Sequence, residues 1–396
     1  MIKIGSAIST HNNPGLAAAE VLEAANDALG DASANLAFLF VSRHSVDGIE
    51  EIVARLAPSL DGAAILGCTT QTAIGGGREV EEGPALSLWL AHLPGATLTP
   101  FRLSVENTAD GHAIVGFPLI DEPLEATFLL ADPYTFPTQV FLQSLNEDYP
   151  DQAVLGGQAS GDGAGEVRLV LGDKVLNQGA VGIQIGGNVR VTPVVSQGCK
   201  PIGSPFIVTA ARGNIIHQLG GKPPLLRLRE ILGKLSREDR ARATRNLHMG
   251  VVIDELKANP KAGDFLIRPV LQADPETGAM SVGEVLNVGQ TMQFQVRDAD
   301  AADSDLRGML EGHLAANGPE STTGALLFTC NGRGSNLFGT PDHDISALRE
   351  AIPGLPVAGM FCGGEIGPIG GVNFLHGFTA SVALFQETGE AEPDWP

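Results

Sequence analysis

The sequence predicts an α/β protein of the α+β kind, with two halves (1–195 and 196–396) of mixed, largely antiparallel sheets flanked by helices. Three observations carry this. The chain has 396 residues, more than one core absorbs, since single cores stop growing near roughly 250–300 residues. One order of elements, strand, helix, strand ending in glycine, turn and further strand, is written three times. Between the second and third writings lies a region of short alternating strands.

The first writing begins with the apolar run LAFLFV (36–41), crosses a helix-like stretch, reaches AAILGCTTQTAI (63–74) and continues as GPALSLWLA from Gly83. The second begins with TFLLAD (127–132), crosses TQVFLQSLNEDYP, reaches AVLGGQASGDG (153–163) and ends in GAVGIQIGG from Gly179. The third begins with GALLFTC (324–330), crosses DISALREAI, reaches VAGMFCGGEIGPIGG (357–371) and ends in GFTASVALF from Gly377. Together they predict related β-α-β-β units. Superposing Gly67, Gly156 and Gly359 places Thr70, Ala159 and Cys362 in one column, and Ala73, Asp162 and Glu365 in another. Glycine at the end of a buried strand lets a neighbouring backbone approach closely, with or without a ligand.

In the intervening region, FIVTAARGNIIHQLGG (206–221) predicts two strands about a turn at 212–214, and Pro223 opens a helix to about Leu232. MGVVIDE is a strand, DFLIRPVLQADPETGAMSVG a strand pair about an Asp-Pro-x-x-Gly turn, QTMQFQVRDA a further strand, and about 301–317 a helix.

Composition narrows the function. The formal charge is −21, with 46 acidic against 25 basic residues, and such a surface repels phosphate backbones, so no nucleic-acid partner is expected. The basic residues of 227–245 alternate with acids, as on a solvated helical face. With neither a leader-like N-terminus nor a run of roughly 18 apolar residues, no membrane association and a cytoplasmic location are expected. The four cysteines are scattered without zinc-ligand spacing, which predicts reduced thiols and no metal.

The glycine-rich stretch 156–171 lacks the Lys-Ser/Thr of a phosphate loop and runs into a strand rather than a helix, so no nucleotide cofactor is implied. Ser160 in GQASGDG lacks the strand-to-helix setting of a hydrolase serine. PDHDIS (341–346) reads as a helix start with Asp344 capping free amides, metal binding being the alternative. Cys362 has three readings: a buried structural thiol, a pocket wall, or a nucleophile that would need His376 or Arg333 close by. Arg268, inside the apolar run FLIRPVL, needs an anionic partner. That partner is either a protein carboxylate such as Glu365 or a ligand carboxylate gripped by the guanidinium fork. Asn331, Arg333, Glu365, Asn373 and His376 sit at or beside strand ends of the third unit, where polar groups from neighbouring strands converge on ligands.

The landmarks FIVTAARGNIIHQLGG, FLIRPVL, VGQTMQFQVRDA and above all FCGGEIGPIGGVNFLHGFTASVALF resemble the FIST family, named for F-box and intracellular signal transduction proteins. The family's first turn usually carries Gly-Glu, where this chain has Thr72 and Ala73. The resemblance implies a FIST N-like half over 1–195 and a FIST C-like half over 196–396. It further implies a non-catalytic sensory protein that binds a small molecule such as an amino acid and signals through another polypeptide. On this reading Arg268, Asn331, Arg333, Cys362, Glu365, Asn373 and His376 form the ligand site, without cofactor or metal. Two alternatives stand beside it: an enzyme using Cys362 with His376 as base, and a scaffold that recruits a protein partner.

Overall fold

A computed structural model describes residues 1–109, 111–120, 122–257, 260 and 263–388. The fold is mixed α+β, as the sequence predicts, and divides into two compact units: 1–195 with 307–396, and 196–306.

The first unit holds three sheets of one topology. In each, two parallel strands joined through a helix sit at the centre. Their apolar runs are buried along nearly their whole length, as strands covered on both faces require. In the first sheet Leu36–Ser42 runs parallel to Ala64–Thr70, with Leu86–His92 and then Lys3–Ser9 antiparallel beyond. In the second, Leu124–Ala131 and Val154–Gln158 are the parallel pair, flanked by Ala180–Gly187 and Ala96–Thr108. In the third, Thr322–Cys330 and Val357–Cys362 are flanked by Ala380–Gln386 and Arg190–Ser196.

Each parallel pair is followed by a hairpin that joins a different sheet. The hairpin Ala73–Gly75/Arg78–Val80 leaves the first sheet and pairs with Val357–Cys362 of the third. The hairpin Leu169–Leu171/Lys174–Leu176 leaves the second and pairs with Ala64–Thr70 of the first. The hairpin Glu365–Ile369/Val372–His376 leaves the third and pairs with Val154–Gln158 of the second. The cycle closes, and the turns that start these hairpins are bonded to one another in a ring. Ser160 N donates to Thr69 O, Gln158 N to Gly364 O, and Phe361 N to Thr72 O.

The inner faces meet in one aromatic core. Phe38 of the first sheet lies 5.4 Å from Phe128 of the second, Phe40 lies 6.2 Å from Phe328 of the third, and Trp89 lies 4.8 Å from Phe385. Gly67, Gly156 and Gly359 occupy matching places in it. A Cβ there would meet the carbonyl oxygen of Leu39, Leu129 and Leu327 at 2.4, 2.1 and 1.8 Å, so a side chain at any of the three would force the parallel strands apart. The outer faces are covered by helices, Pro14–Leu29 and Ile49–Leu56 over the first sheet and Thr138–Asp148 over the second.

The register corrects one column of the sequence alignment. Opposite Gly359, Gly156 and Gly67 stand Ile74, Ile366 and Val170. The residues that precede these are Ala73, Glu365 and Leu169, so Leu169 rather than Asp162 is the counterpart of Glu365. Asp162 lies in extra loop residues and pairs with Arg43.

The second unit is a closed six-stranded barrel. Phe206–Arg212, Ile215–Leu219, Met280–Val282, Phe265–Ala273, Leu247–Val252 and Thr291–Arg297 pair in that order, and the last returns to the first. The helix Pro224–Leu232 begins where Pro223 predicts it, and Cys199–Pro201 adds a short strand outside the ring. The barrel core includes Val208, Met249, Met280, Met292 and Phe294.

Candidate functional site

The polar cluster with the largest number of predicted residues lies where Thr322–Cys330 and Val357–Cys362 end. Cys330 and Cys362 are register partners on these parallel strands. The backbone then curls over the strand ends: Asn331 N donates to Cys362 O at 3.0 Å and Arg333 N to Cys330 O at 2.8 Å. This brings the Arg333 side chain inward, where it is 0% exposed.

A buried guanidinium must be paired, and the partner is Asp344, 1% exposed, on the helix His343–Ala351. Arg333 Nε donates to Asp344 Oδ2 at 2.7 Å and Nη2 to Oδ1 at 2.8 Å, a bidentate fork. Thr329 Oγ1 donates to Oδ2 at 2.8 Å, and His343 Nδ1 lies 3.0 Å from Oδ1. Burial alone would raise the Asp344 pKa, but the Arg333 charge and these bonds hold it well below the usual carboxylate range. For Arg333, burial works against the charge and the Asp344 carboxylate overrides it, so the pKa moves up. Phe338 closes the outer side, with the guanidinium carbon 5.1 Å from its ring and the His343 ring stacked at 3.3 Å.

Asp344 therefore is not the helix cap that PDHDIS suggests. The free amide of Ile345 instead donates at 2.8 Å to Glu79 Oε1, a residue of the hairpin that enters this sheet from the first unit of the alignment. Burial, and next the charge of Asp344, push Glu79 up to about 8.

Glu365 is 0% exposed and its Oε2 accepts from Thr379 N at 3.0 Å. Burial raises its pKa to about 8, against the lowering effects of the Thr379 amide, the Arg333 charge and the Cys330 thiol. Four side-chain atoms of this cluster have no hydrogen-bond partner among the described residues: Arg333 Nη1, Asn331 Oδ1 and Glu365 Oε1 at the strand end, and Glu79 Oε2 beside the helix. One is a donor and the others sit on carbonyl or carboxyl oxygens. Asn331 and Gly332, beside the buried Arg333, are half-buried.

The other predicted residues are differently employed. Cys362 is fully buried in the aromatic core, and burial, then Glu365, pushes its thiol well above the ordinary value. Its environment therefore stores a thiol rather than a thiolate. His376 stands across the hairpin from Glu365, and its Nε2 lies 2.9 Å from Gly367 O. Asn373 pins its hairpin to the second sheet: Oδ1 accepts from Val154 N at 2.8 Å, and Nδ2 donates to Gln152 O at 2.7 Å and Asn146 Oδ1 at 3.0 Å. Arg268 belongs to the barrel, where Nε donates to Glu284 Oε2 at 2.8 Å. Glu284, not Glu365, is thus the carboxylate found on this guanidinium. Met249, its register partner, lies in the barrel core, so Arg268 projects from the same face of the sheet.

The structure thus brings Asn331, Arg333, Cys362 and Glu365 to one strand end and adds Asp344, Glu79 and Cys330. Glu79, in REVEE, could have been suspected from its place between polar and apolar neighbours on a short strand. Asp344 carries no local signal that separates a core-facing acid from a cap.

Interlocked mixed sheets with a buried ionic cluster at strand ends, and a six-stranded barrel, define a mixed α+β protein. The chain belongs to the FIST family: the FIST N domain matches residues 35–222 and the FIST C domain residues 224–368. An uncharacterized protein of Mycobacterium bovis is 45% identical over 390 residues, covering 98% of this chain and 100% of its own. One of Mycobacterium tuberculosis strain H37Rv is 45% identical over 385 residues, covering 97% and 100%. An F-box/LRR-repeat protein of Arabidopsis thaliana is 29% identical over 115 residues, 28% of this chain and 22% of its own. A solved structure described as "Cyanuric acid hydrolase: evolutionary innovation by structural concatenation" aligns over 98% of this chain and 100% of its own. Its TM-score of 0.35 and 9% identity are too low to carry anything over.

Proposed function

We propose that this chain is a non-catalytic sensory protein of intracellular signal transduction that binds a small polar molecule, an amino acid or a relative of one. The observation that carries this reading is the set of three unpartnered polar atoms, Arg333 Nη1, Asn331 Oδ1 and Glu365 Oε1, on neighbouring residues of one buried cluster. Buried polar atoms without partners cost about 1–3 kcal/mol each, so their concentration fits a site completed by a guest. The guest offers acceptors to Arg333 and to the protonated Glu365 and a donor to Asn331, with Cys330 and Cys362 as its wall and the half-buried stretch at Asn331 and Gly332 as its entrance.

The high thiol pKa of Cys362 supports binding over covalent chemistry. The matching glycines of the three sheets support a history as copies of one unit. All four cysteines are thiols, which suits a reducing, cytoplasmic compartment. Signalling then proceeds through a protein partner in trans.

Calorimetric titration of the intact protein with a panel of amino acids and hydroxy acids tests the reading. One-to-one binding of at least one member is expected, weakened about tenfold or more by Asn331→Ala and by Glu365→Leu in variants that retain their melting temperature. Absence of binding across the panel, or affinities that neither variant changes, would contradict it.

A further inference from the structure

From the barrel unit we infer a second binding site, separate from the strand-end cluster, for a small apolar organic amine. A cleft of about 330 Å³ lies between the short strand Cys199–Pro201, the barrel strand Phe265–Ala273 and the start of the helix Ala299–Asn317. That volume is at the lower end of the ~300–1,000 Å³ that ligand pockets occupy.

Strand alternation explains its apolar wall. Arg268 shares a sheet face with Met249 of the barrel core, whereas Phe265 and Ile267 form a separate apolar cluster with Val252, against which Cys199 packs. The wall is thus the outer surface of the barrel, apolar where a solvated sheet face would alternate to polar.

Of the polar residues that border this wall, Gln197, Lys200, Gln295, Ser304 and Asp305, two are held by hydrogen bonds that bear on the site. The Gln197 amide is bonded at both ends: Nε2 donates to Phe265 O at 2.6 Å, and Oε1 accepts from Ile267 N at 3.1 Å. It holds the strand edge and carries no charge to anchor an ammonium. The Asp305 carboxylate is fixed through Oδ2 alone, which accepts from Ser196 Oγ at 2.8 Å and Gln197 N at 3.1 Å. Its Oδ1 has no hydrogen bond among the described residues, and Asp305 lines the cleft with Ala301. A rigid carboxylate oxygen over an apolar wall is complementary to a protonated amine on an apolar body, because the ammonium gains a charge-assisted bond while the body leaves water. Lys200, on the rim, is exposed and is not paired with Asp305, so its charge stays in water and the anchor stays with the carboxylate.

Phenethylamine, titrated into the full chain by calorimetry, is the direct probe. Methylamine lacks the apolar body and 3-phenylpropionate lacks the ammonium, and both are expected to bind about tenfold or more weaker. Asp305→Asn should lower phenethylamine affinity about tenfold or more, the weight of one charge-assisted hydrogen bond. Because Asp305 also orders Ser196 and Gln197, Ala301→Leu provides an independent arm. It fills the cleft from a half-buried helical position and should weaken binding without lowering the melting temperature. Failure of phenethylamine to bind, equal affinity for phenylpropionate, or full affinity in Ala301→Leu would overturn the assignment.

Discussion

Arg333 holds both oxygens of Asp344, so each residue is what makes the other tolerable in the core. Arg333→Ala would leave the carboxylate buried and uncompensated, and should cost about 3–5 kcal/mol in chemical denaturation. The double variant Arg333→Ala/Asp344→Ala should recover part of that loss, as removal of both charges does for such pairs. Glu79 and Glu365 predict a pH dependence. Their pKa values rise from an ordinary 4.5 to about 8, so the native state keeps protons that the unfolded chain has released. This contribution to stability is complete below pH about 4.5, declines as pH rises and is gone above about 8. Melting temperature measured across that window should fall with pH, and should fall less in Glu79→Gln and Glu365→Gln. A slope identical to that of the parent would show that these carboxyls ionise normally. Asn331, Arg333, Cys362 and Glu365 were legible because polar residues beside apolar strand ends are visible in one dimension. Asp344 and Glu79 were not, since their roles depend on contacts such as Ile345 N to Glu79 Oε1 across 266 residues.

At the level of elements, strands and helices were readable where apolar runs met glycine and proline, as with Leu36–Ser42, Pro224–Leu232 and Phe265–Ala273. Hairpin partners were not, because the pairing of Leu169–Leu171 with Ala64–Thr70 is set by the second sheet's position and leaves no mark on either strand. The same blindness placed Asp162 in the column of Glu365: an ungapped alignment cannot see the loop residues inserted before Leu169. The strand-end glycines, by contrast, were readable, and the structure gives their cause. Gly359→Ala sets a Cβ 1.8 Å from Leu327 O, a backbone atom that cannot rotate away. It should destabilise by about 1–3 kcal/mol or more, the usual range for overpacking, and Gly156→Ala should behave alike. A denaturation midpoint unchanged in both would mean that the parallel pairs are looser than this register describes.

Across the first unit, each sheet is completed by a hairpin from another, so no sheet can lose its edge without exposing the core of the next. Hydrogen exchange followed by mass spectrometry should therefore show one cooperative opening. Gly67→Ala, in the first sheet, should lower protection in Thr322–Cys330 of the third as well as in its own strands, and loss confined to the first sheet would refute the coupling. This interlock also gives the strand-end cluster its rigidity, because Glu79 reaches it from one hairpin while Glu365 begins another. The most direct test of the sensory account is an atomic-resolution crystal structure of the intact protein grown with its best-binding amino or hydroxy acid. The account predicts ordered ligand density joining Arg333 Nη1, Asn331 Oδ1 and Glu365 Oε1. Density for the ligand elsewhere, with those three atoms closed on one another, would contradict it.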